Sequence, residues 1–339
     1  MNEKRTEAPH TNRGAENTSE YPIILDYITL SGHFQTFNEM IDFLGLKSLE
    51  KQFEVTSPRW FYKYALTYDN VITLMLQQKD SITSACINIS GRGCRIMESF
   101  SCFSLTDIIC KCVERDGFSI SRVDLAMDVI DNKFDIQTLV KNYRKGNYTC
   151  RSKFSNVMES IDDGIKGTSL YFGKQKSNIY INIYDKRAER GYKPVEFPNW
   201  TRCEIRLRGP NAQGFAQQLY DSGLNVGFFY AGILNNYLRF VVNSNDSNKA
   251  RLPTAPYWKK LLSHTDKISV FSKVGVEYDM SSFEKYLFNQ CGSSILTYLQ
   301  THSVQNLIDE LGQRDIKLNK KQQLLVDNYV QDCDFYIIE

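Results

Sequence analysis

The sequence predicts an α+β protein with a central, largely antiparallel sheet, helices packed on one face of that sheet, and a smaller, mostly helical C-terminal module. Three segments, Ser121–Asp128, Ile179–Lys186 and Thr201–Leu207, alternate apolar and polar residues with a period of two, as half-buried strands do. Hairpin signals and amphipathic helical patterns lie between such segments. We therefore expect one sheet face to bury a core and the other to remain free for polar chemistry.

The N-terminal part of the chain combines strand and turn signals with one helix. Asp69 and Asn70 separate two strand-like runs, and such a pair favours the tight turn of a hairpin. The predicted elements are a strand Ile23–Leu30, a helix Phe37–Phe43, the hairpin strands Trp60–Tyr68 and Val71–Gln77, and a strand Ala85–Ser90. Gly91-Arg92-Gly93 follows the last of these strands and is expected to form a turn.

The middle of the chain predicts further helices and strands in mixed order. Ser104 or Thr106 can cap a helix that runs through Val113 and ends at Asp116-Gly117. The elements that follow are a helix Ile136–Tyr143, strands around Leu170–Phe172 and over Ile179–Lys186, a helix-like piece Arg187–Tyr192, and the strand Thr201–Leu207.

The chain divides into three parts by composition. Residues 1–20 are polar and almost free of aliphatic side chains, so we expect a disordered tail. Asn243–Asn248, with Pro253 and Pro256 beyond it, predicts a linker between a first domain over residues 21–245 and a helical module over residues 246–339. The module's helical patterns are Phe283–Phe288, Ile295–Leu299, Val304–Leu311 and Gln322–Val330, and the basic residues Lys317, Lys320 and Lys321 could contact phosphate.

Composition and charge limit the classes of function. No apolar run approaches the roughly 20 residues of a membrane span. Nine cysteines without a CxxC pair, and no signal peptide, fit a reducing cytoplasm. The net charge is only +2, but residues 141–208 hold 15 Lys or Arg against 7 Asp or Glu. That local charge of +8 suits a phosphate-rich partner, and the alternative is a solvated basic face.

Carboxylates on the polar strand faces suggest a divalent-metal site. Asp124 and Asp128 are four residues apart, about 13 Å along an ideal strand, so one is expected to bind the metal and the other to support it. Glu204, on a neighbouring strand, would face Asp124 at roughly 5 Å, and Mg²⁺ or Mn²⁺ suits such oxygen ligands. The alternative is that the carboxylates pair with arginines on the same strands, namely Arg122, Arg202 or Arg206.

Tyr184 ends a run in which Ile179, Ile181 and Ile183 take the core face. Its hydroxyl would therefore share the polar face with the carboxylates. A free phenol has a pKa near 10, so its use as a nucleophile requires a metal or a cation such as Lys186 to stabilise the phenolate. The alternative is a half-buried strand tyrosine that only packs its ring.

Other catalytic patterns are weak or absent. Gly91-Arg92-Gly93 could bring backbone N–H groups and one arginine to a phosphate, although a plain turn is the simpler interpretation. The four histidines form no HxH or HExxH pattern, so zinc chemistry has no support. GxSxG, Walker A and GxGxxG motifs are all missing from the sequence.

Four ordered segments resemble the Rep_trans replication initiation factor family. They are FSISRVDLAMD over Phe118–Asp128, YFG over Tyr171–Gly173, INIYDKRAER over Ile181–Arg190, and WTRCEIRLR over Trp200–Arg208. This family covers rolling-circle initiators of small plasmids, relaxases of conjugative elements and filamentous-phage replication proteins. The resemblance spans roughly residues 22–260. Met127 and Cys203 depart from the usual family residues but lie on the expected core face.

The resemblance implies roles for specific residues. The position matching the family's nucleophile is Tyr184, which would form a 5′-phosphotyrosyl link to DNA and free a 3′-OH, with Lys186 beside it. Asp124, Asp128 and Glu204 match the acidic positions of the metal site, which would take Mg²⁺ or Mn²⁺. Basic residues expected to contact DNA are Arg92, Lys174, Lys176, Arg187, Arg190, Arg202 and Arg206.

The resemblance implies origin DNA as the partner, at a single-stranded or cruciform nick site, with a host helicase and a homodimer as further expectations and no membrane. The helical module over residues 246–339, with nicking assigned to the domain over residues 21–245, would then bind DNA or mediate oligomerisation. Three hypotheses for the function stay open. The first is a tyrosine nicking enzyme, the second a DNA-binding regulator that keeps the fold without catalysis, and the third a metal-dependent nuclease that uses water. The moderate length and the absence of an N-terminal helix-turn-helix favour a plasmid or phage replication initiator over a conjugative relaxase.

Overall fold

The computed structural model describes most of the chain between residues 21 and 262 and part of the region beyond. The described residues are 21–79, 82–130, 134–162, 165–192, 199–242, 248–249, 251–262, 284, 287–288, 292–314, 318, 323 and 326. Several parts of the sequence expectations lie outside the described residues. They are the expected tail, residues 243–247 of the expected linker, most of Phe283–Phe288 and Gln322–Val330, and Lys317, Lys320 and Lys321. The chain forms two compact units, Met1–Ser272 and Lys273–Glu339.

A ten-stranded antiparallel sheet is the framework of the first unit within its described residues. Its strand order is β2-β3-β4-β5-β1-β6-β11-β10-β9-β8, and β7 pairs with β12 in a separate ribbon. The strands are β1 Ile23–Gly32, β2 Glu54–Val55, β3 Tyr64–Tyr68, β4 Ile72–Lys79, β5 Ile82–Ile89, β6 Ser119–Val129, β7 Tyr148–Cys150, β8 Ser155–Asp162, β9 Ile165–Phe172, β10 Ile179–Asp185, β11 Thr201–Arg208 and β12 Leu238–Phe240.

Helices cover one face of this sheet. In the first unit they are α1 Phe37–Phe43, a 3₁₀ helix Lys47–Gln52, α2 Gly91–Phe100, α3 Leu105–Val113, α4 Ile136–Arg144, α5 Lys186–Glu189, α6 Pro210–Ser222, α7 Val226–Tyr237 and α8 Pro256–Leu261. Their apolar side chains form one continuous core with Val123, Leu125, Ile183 and Ile205 of the central strands. Alternation along each strand places polar side chains on the opposite face, called the polar face below. The predicted α+β class, with helices on one face, is confirmed.

Several local signals act as expected. Asp69 and Asn70 have φ angles of 47° and 54°, as the hairpin turn requires. Ser104 caps α3 in a capping box with Asp107. Asp185 ends β10 and caps the short α5 by accepting a hydrogen bond from the backbone N–H of Ala188.

Two expectations are wrong in detail. The first hairpin strand begins at Tyr64 rather than Trp60, because Trp60 adopts a left-handed φ of 59° that no strand residue has. Gly91-Arg92-Gly93 begins the helix α2 instead of forming a turn. The glycines permit this helix to approach the sheet closely: a Cβ on Gly93 would lie 2.5 Å from the carbonyl oxygen of Val71.

The helices α6 and α7 and the strands β7 and β8 were not among the sequence expectations. The start and stop signals of α6 are nonetheless present, with Pro210 at its first turn and Gly223 in a left-handed conformation at its end.

The C-terminal end of the described first unit packs into its core. Trp258 of α8 is fully buried against Phe240 and Phe134. The second unit contains α9 Gly292–Thr301 and α10 Val304–Gln313, and Ser303 caps α10. Among the described residues, none of the helices has both the length and the apolar character needed to cross a membrane.

Candidate active site on the polar face of the sheet

The candidate nucleophile lies where β10 ends and α5 begins. Tyr184 occupies the polar face because Ile181 and Ile183 of the same strand enter the core. Its hydroxyl donates a hydrogen bond of 2.7 Å to Glu204 Oε1 on the neighbouring strand β11. Lys186 Nζ lies 3.4 Å from the same hydroxyl oxygen and 2.7 Å from Glu189 Oε2. The phenol therefore contacts a carboxylate and a cation at once.

Burial sets the acid–base properties of this pair. It raises the pKa of Tyr184 well above that of a free phenol, and the negative charge of Glu204 raises it further. Burial also raises the pKa of Glu204, although the hydrogen bond from Tyr184 opposes that shift. The hydroxyl is thus held as a proton donor, and Glu204 is the acceptor to which it points.

Asp128 is engaged by a buried arginine. It accepts hydrogen bonds from Arg202 Nε at 2.7 Å and Nη2 at 2.6 Å, and from the Trp200 indole N–H at 2.8 Å. Arg202 Nη1 also lies 3.3 Å from Asp26 Oδ2. Both oxygens of Asp128 therefore accept hydrogen bonds from N–H donors, as in the alternative in which the carboxylates pair with arginines.

Asp124 has the same kind of environment further along the sheet. It accepts two hydrogen bonds from Arg122, at 2.8 and 2.5 Å, and one from Arg206 at 3.0 Å. It lies opposite Arg206, whereas Glu204 lies opposite Ala126. The expectation that Asp124 and Glu204 face each other directly is wrong by this register, and they are diagonal neighbours at about 7–8 Å.

Asp26 belongs to the site and escaped the sequence analysis. The pairing of β1 with β6 is irregular between Leu25 and Tyr27. The contacts of Asp26 with Arg202 and of Tyr27 with Arg122 place both side chains on the polar face, as expected of a β-bulge. Burial raises the pKa of Asp26, with Arg202 opposing the shift. A carboxylate inside the apolar strand Ile23–Leu30 was the available sequence signal.

The expected DNA contacts are distributed over four places. Arg92 and Arg190 line an open cleft of about 1770 Å³ together with Asp26, Lys186 and Arg202. Arg92 also pairs with Asp69, and Arg190 lies 3.7 Å from Glu189. The remaining predicted contacts lie elsewhere: Lys174 and Lys176 are exposed in the β9–β10 turn, Arg187 pairs with Asp185, and Arg206 pairs with Asp124.

The oxygen atoms around Tyr184 are suited to a hard divalent cation. Asn182 Oδ1 is buried beside the site, has no hydrogen-bond partner among the described residues, and lies opposite Glu204 in the β10–β11 register. Glu204 and Asn182 therefore supply a charged and a neutral oxygen of the kind that Mg²⁺ and Mn²⁺ prefer. Within the described ranges, no three His, Cys, Asp or Glu side chains by themselves form a metal-holding group.

Comparison with known proteins identifies the family. The sequence pattern of Rep_trans, described as replication initiation factor, matches residues 118–313, which include β6, β10 and β11. The chain belongs to this family. It is 28% identical over 350 residues to the protein described as "Putative DNA relaxase NicK" from Bacillus subtilis (strain 168), covering 98% of this chain and 96% of that protein.

A solved relative agrees with this assignment. The structure of a rolling-circle replication initiator protein from Geobacillus stearothermophilus superposes with a TM-score of 0.66 and 26% sequence identity. The match covers 74% of this chain and 98% of that one. The resemblance to the Rep_trans family predicted from sequence is confirmed, and the roles of individual residues stay predictions.

Proposed function

We propose that this Rep_trans protein is a metal-dependent enzyme that nicks one DNA strand at an origin through Tyr184 and so initiates rolling-circle replication. The observation that carries the proposal is the contact of the Tyr184 hydroxyl with both Glu204 and Lys186. A hydroxyl with a hydrogen-bonded acceptor and an adjacent cation has the arrangement of an activated nucleophile.

Each group has a defined task in the proposed reaction. Glu204 takes the phenolic proton, and the Tyr184 oxygen attacks the phosphorus atom of a DNA phosphodiester. A bond between phosphorus and the tyrosine oxygen forms as the bond to the 3′ oxygen breaks, which leaves a 5′-phosphotyrosyl link and a 3′-OH after protonation. Lys186 stabilises negative charge on the phenolic oxygen during the attack.

A divalent cation completes this proposal. Glu204 and Asn182, which face each other across β10 and β11, would hold Mg²⁺ or Mn²⁺, which when bound polarises the scissile phosphate. Asp26 would add negative charge nearby. Asp124 and Asp128, expected as ligands from the sequence, would act in support because arginines already occupy their oxygens. Their pairing fixes Arg202 and Arg206 on the face that receives DNA.

DNA would enter through the cleft beside Tyr184. Arg92 and Arg190 at this cleft would contact phosphates, while Lys174 and Lys176 would contact the strand at the far end of β10. A helicase partner, a homodimer and a DNA-binding or oligomerising C-terminal unit stay predictions.

A relaxase of a conjugative element is the second candidate. The observation in its favour is the end-to-end match to a relative described as a relaxase, whereas the match to the initiator structure covers 74% of the chain. Both functions use the same chemistry. Replication of an origin-bearing plasmid, compared with mobilisation of that plasmid into a recipient cell, separates them.

Nicking of supercoiled DNA that carries the protein's own origin tests the proposal. We expect relaxation with Mg²⁺ or Mn²⁺, none with EDTA, and a protein–DNA adduct that survives denaturation. Tyr184→Phe should abolish the adduct, while Tyr180→Phe, which removes a hydroxyl four residues away on the same strand face, should retain it. Cutting by Tyr184→Phe would favour water as the nucleophile, and binding without cutting by the unaltered protein would favour a regulator.

A further inference from the structure

A second feature of the polar face is an aromatic loop at the opposite end of the sheet. Trp60 and Phe61 are 70% and 65% exposed, although they are among the largest apolar side chains of the protein. They lie between the exposed cations Arg59 and Lys63. Large exposed apolar groups of this kind mark contact surfaces.

The loop is held in place by Tyr62. The Tyr62 ring is buried with Ala65, Met75 and Cys86 in a small apolar cluster separate from the main core, and Ser84 and Ser31 lie beside its hydroxyl. Phe61 stacks on Tyr62 at 4.4 Å and Trp60 meets its edge at 6.5 Å. The two exposed rings therefore pack against a buried neighbour.

Strand register places this loop on the same sheet face as Tyr184. Met75 pairs with Cys86, and Cys86 pairs with Ser31, so these positions share one face. Leu74 and Leu76, which alternate with Met75, belong to the main core beneath the helices. The Tyr62 cluster therefore lies on the polar face, about 40 Å from Tyr184 along a diagonal of the sheet.

Positive charge lies between the two ends of that diagonal. Arg122 and Arg206 share the carboxylate of Asp124, and Arg208 lies opposite Arg122 in the β6–β11 register, so three cations cluster on this part of the face. Burial lowers the pKa of Arg208, and repulsion by Arg122 and Arg206 lowers it further. The Arg122 guanidinium also lies over the Tyr27 ring at 3.7 Å.

From this arrangement we propose that Trp60 and Phe61 form a stacking site for unpaired bases of a DNA strand that crosses the polar face from Tyr184. The inference rests on the proposed function for the identity of the ligand. A basic groove with aromatic platforms is the arrangement by which proteins hold single strands. The left-handed φ of Trp60 fits a functional position, because such strain in a bulky residue persists where its orientation is used.

Tryptophan fluorescence gives a direct test. The protein has three tryptophans, and Trp200 and Trp258 are 4% and 0% exposed, so Trp60 is the exposed reporter. In the Tyr184→Phe full-length chain, which cannot form the proposed link, we expect an oligo(dT) single strand of about 24 nucleotides to quench the exposed emission. That length exceeds the roughly 12 nucleotides that would be needed to span the diagonal even at the compact 3.4 Å spacing of duplex DNA. A blunt duplex of equal length should leave the emission unchanged, because its bases are already stacked.

Affinity measurements with variants complete the test. In the same background, Trp60→Ala with Phe61→Ala should weaken oligo(dT) binding by at least about tenfold, as expected for lost base stacking. Tyr64→Ala is the matched control, since Tyr64 is an exposed aromatic of β3 that pairs with Leu76 on the helix-covered face. Trp60→Phe should retain affinity and lose the quenching signal, which separates the stacking role from a folding defect.

Three results would overturn the inference: an emission unchanged by the single strand, equal quenching by the duplex, or unchanged affinity of the double variant. The nicking proposal fails separately, through the absence of a Tyr184 adduct in the unaltered chain, because the fluorescence experiment requires no cleavage.

Discussion

The Tyr184 hydroxyl lies at the meeting point of a carboxylate and an ammonium group, and burial determines how the three behave. Low exposure disfavours both the phenolate and the ionised Glu204, so each group has a raised pKa. A carboxylate with a raised pKa is a stronger base, which suits it to accept a phenolic proton. The chemistry proposed for Tyr184 therefore depends on the ionisation of Glu204.

The first prediction concerns pH. The nicking rate should fall as the pH decreases through the raised pKa of Glu204, because the protonated carboxyl cannot accept the proton of Tyr184. Glu204→Gln should lose about 10²–10⁴-fold in single-turnover rate, the usual contribution of a general base. A rate–pH profile measured with saturating Mn²⁺ tests both statements, and a Glu204→Gln variant of normal rate would contradict the assignment.

The same substitution should leave the fold intact. Some carboxyl groups have a higher pKa in the folded protein than in the unfolded chain. As the pH rises from the unfolded pKa through the folded pKa, such a group lowers the free energy of unfolding. Glu204→Gln removes this loss, so at neutral pH its free energy of unfolding should equal or exceed that of the unaltered protein. Urea denaturation followed by circular dichroism measures the difference, and clear destabilisation would indicate a structural role for the charge.

At the scale of elements, the central strands arrange their carboxylates in pairs with arginines. Asp128 and Arg202 are almost fully buried. Arg122 and Arg206, which pair with Asp124, are partly exposed. The pair of Arg92 and Asp69 is largely exposed. The penalty for leaving a charge unpaired grows with burial. These three pairs therefore form a graded series within one fold.

We predict that alanine substitutions follow this series. Asp128→Ala should lower the free energy of unfolding by about 3–5 kcal/mol, because Arg202 would remain buried without its partner. Asp69→Ala should cost about 0–1 kcal/mol, and Asp124→Ala should lie between the two. Equilibrium denaturation of the three variants checks the order, and a neutral Asp128→Ala would contradict the network described around β6 and β11.

The sequence predicted those elements whose signals are local. The period of two in β6, β10 and β11, the caps at Ser104 and the Asp69-Asn70 turn all depend on neighbouring residues. The bulge at Asp26 and the diagonal offset between Asp124 and Glu204 depend on pairing between distant strands, which no local pattern specifies. For the same reason, the sequence named Tyr184 and Glu204 as site residues but missed Asp26 and Asn182.

At the scale of the whole molecule, the first compact unit extends beyond the expected domain limit at residue 245. Trp258, Leu261 and Leu262 lie in its core, and burial of each contributes about 1.5–3 kcal/mol. The loss of all three would approach the total stability of an ordinary domain.

We predict that the fragment 21–272 folds and that the fragment 21–245 does not, as circular dichroism and gel filtration would show. Equal cooperativity of the two fragments would contradict this.

The central claim is that Tyr184 becomes covalently linked to DNA, and mapping of the linked residue tests it most directly. Trypsin should release the peptide 177–186, which contains both Tyr180 and Tyr184. After reaction with origin DNA and Mn²⁺, followed by nuclease trimming, fragmentation by mass spectrometry should place the phosphonucleotide on Tyr184. Its location on Tyr180, on any other residue, or its absence when the DNA has been cut would contradict the account.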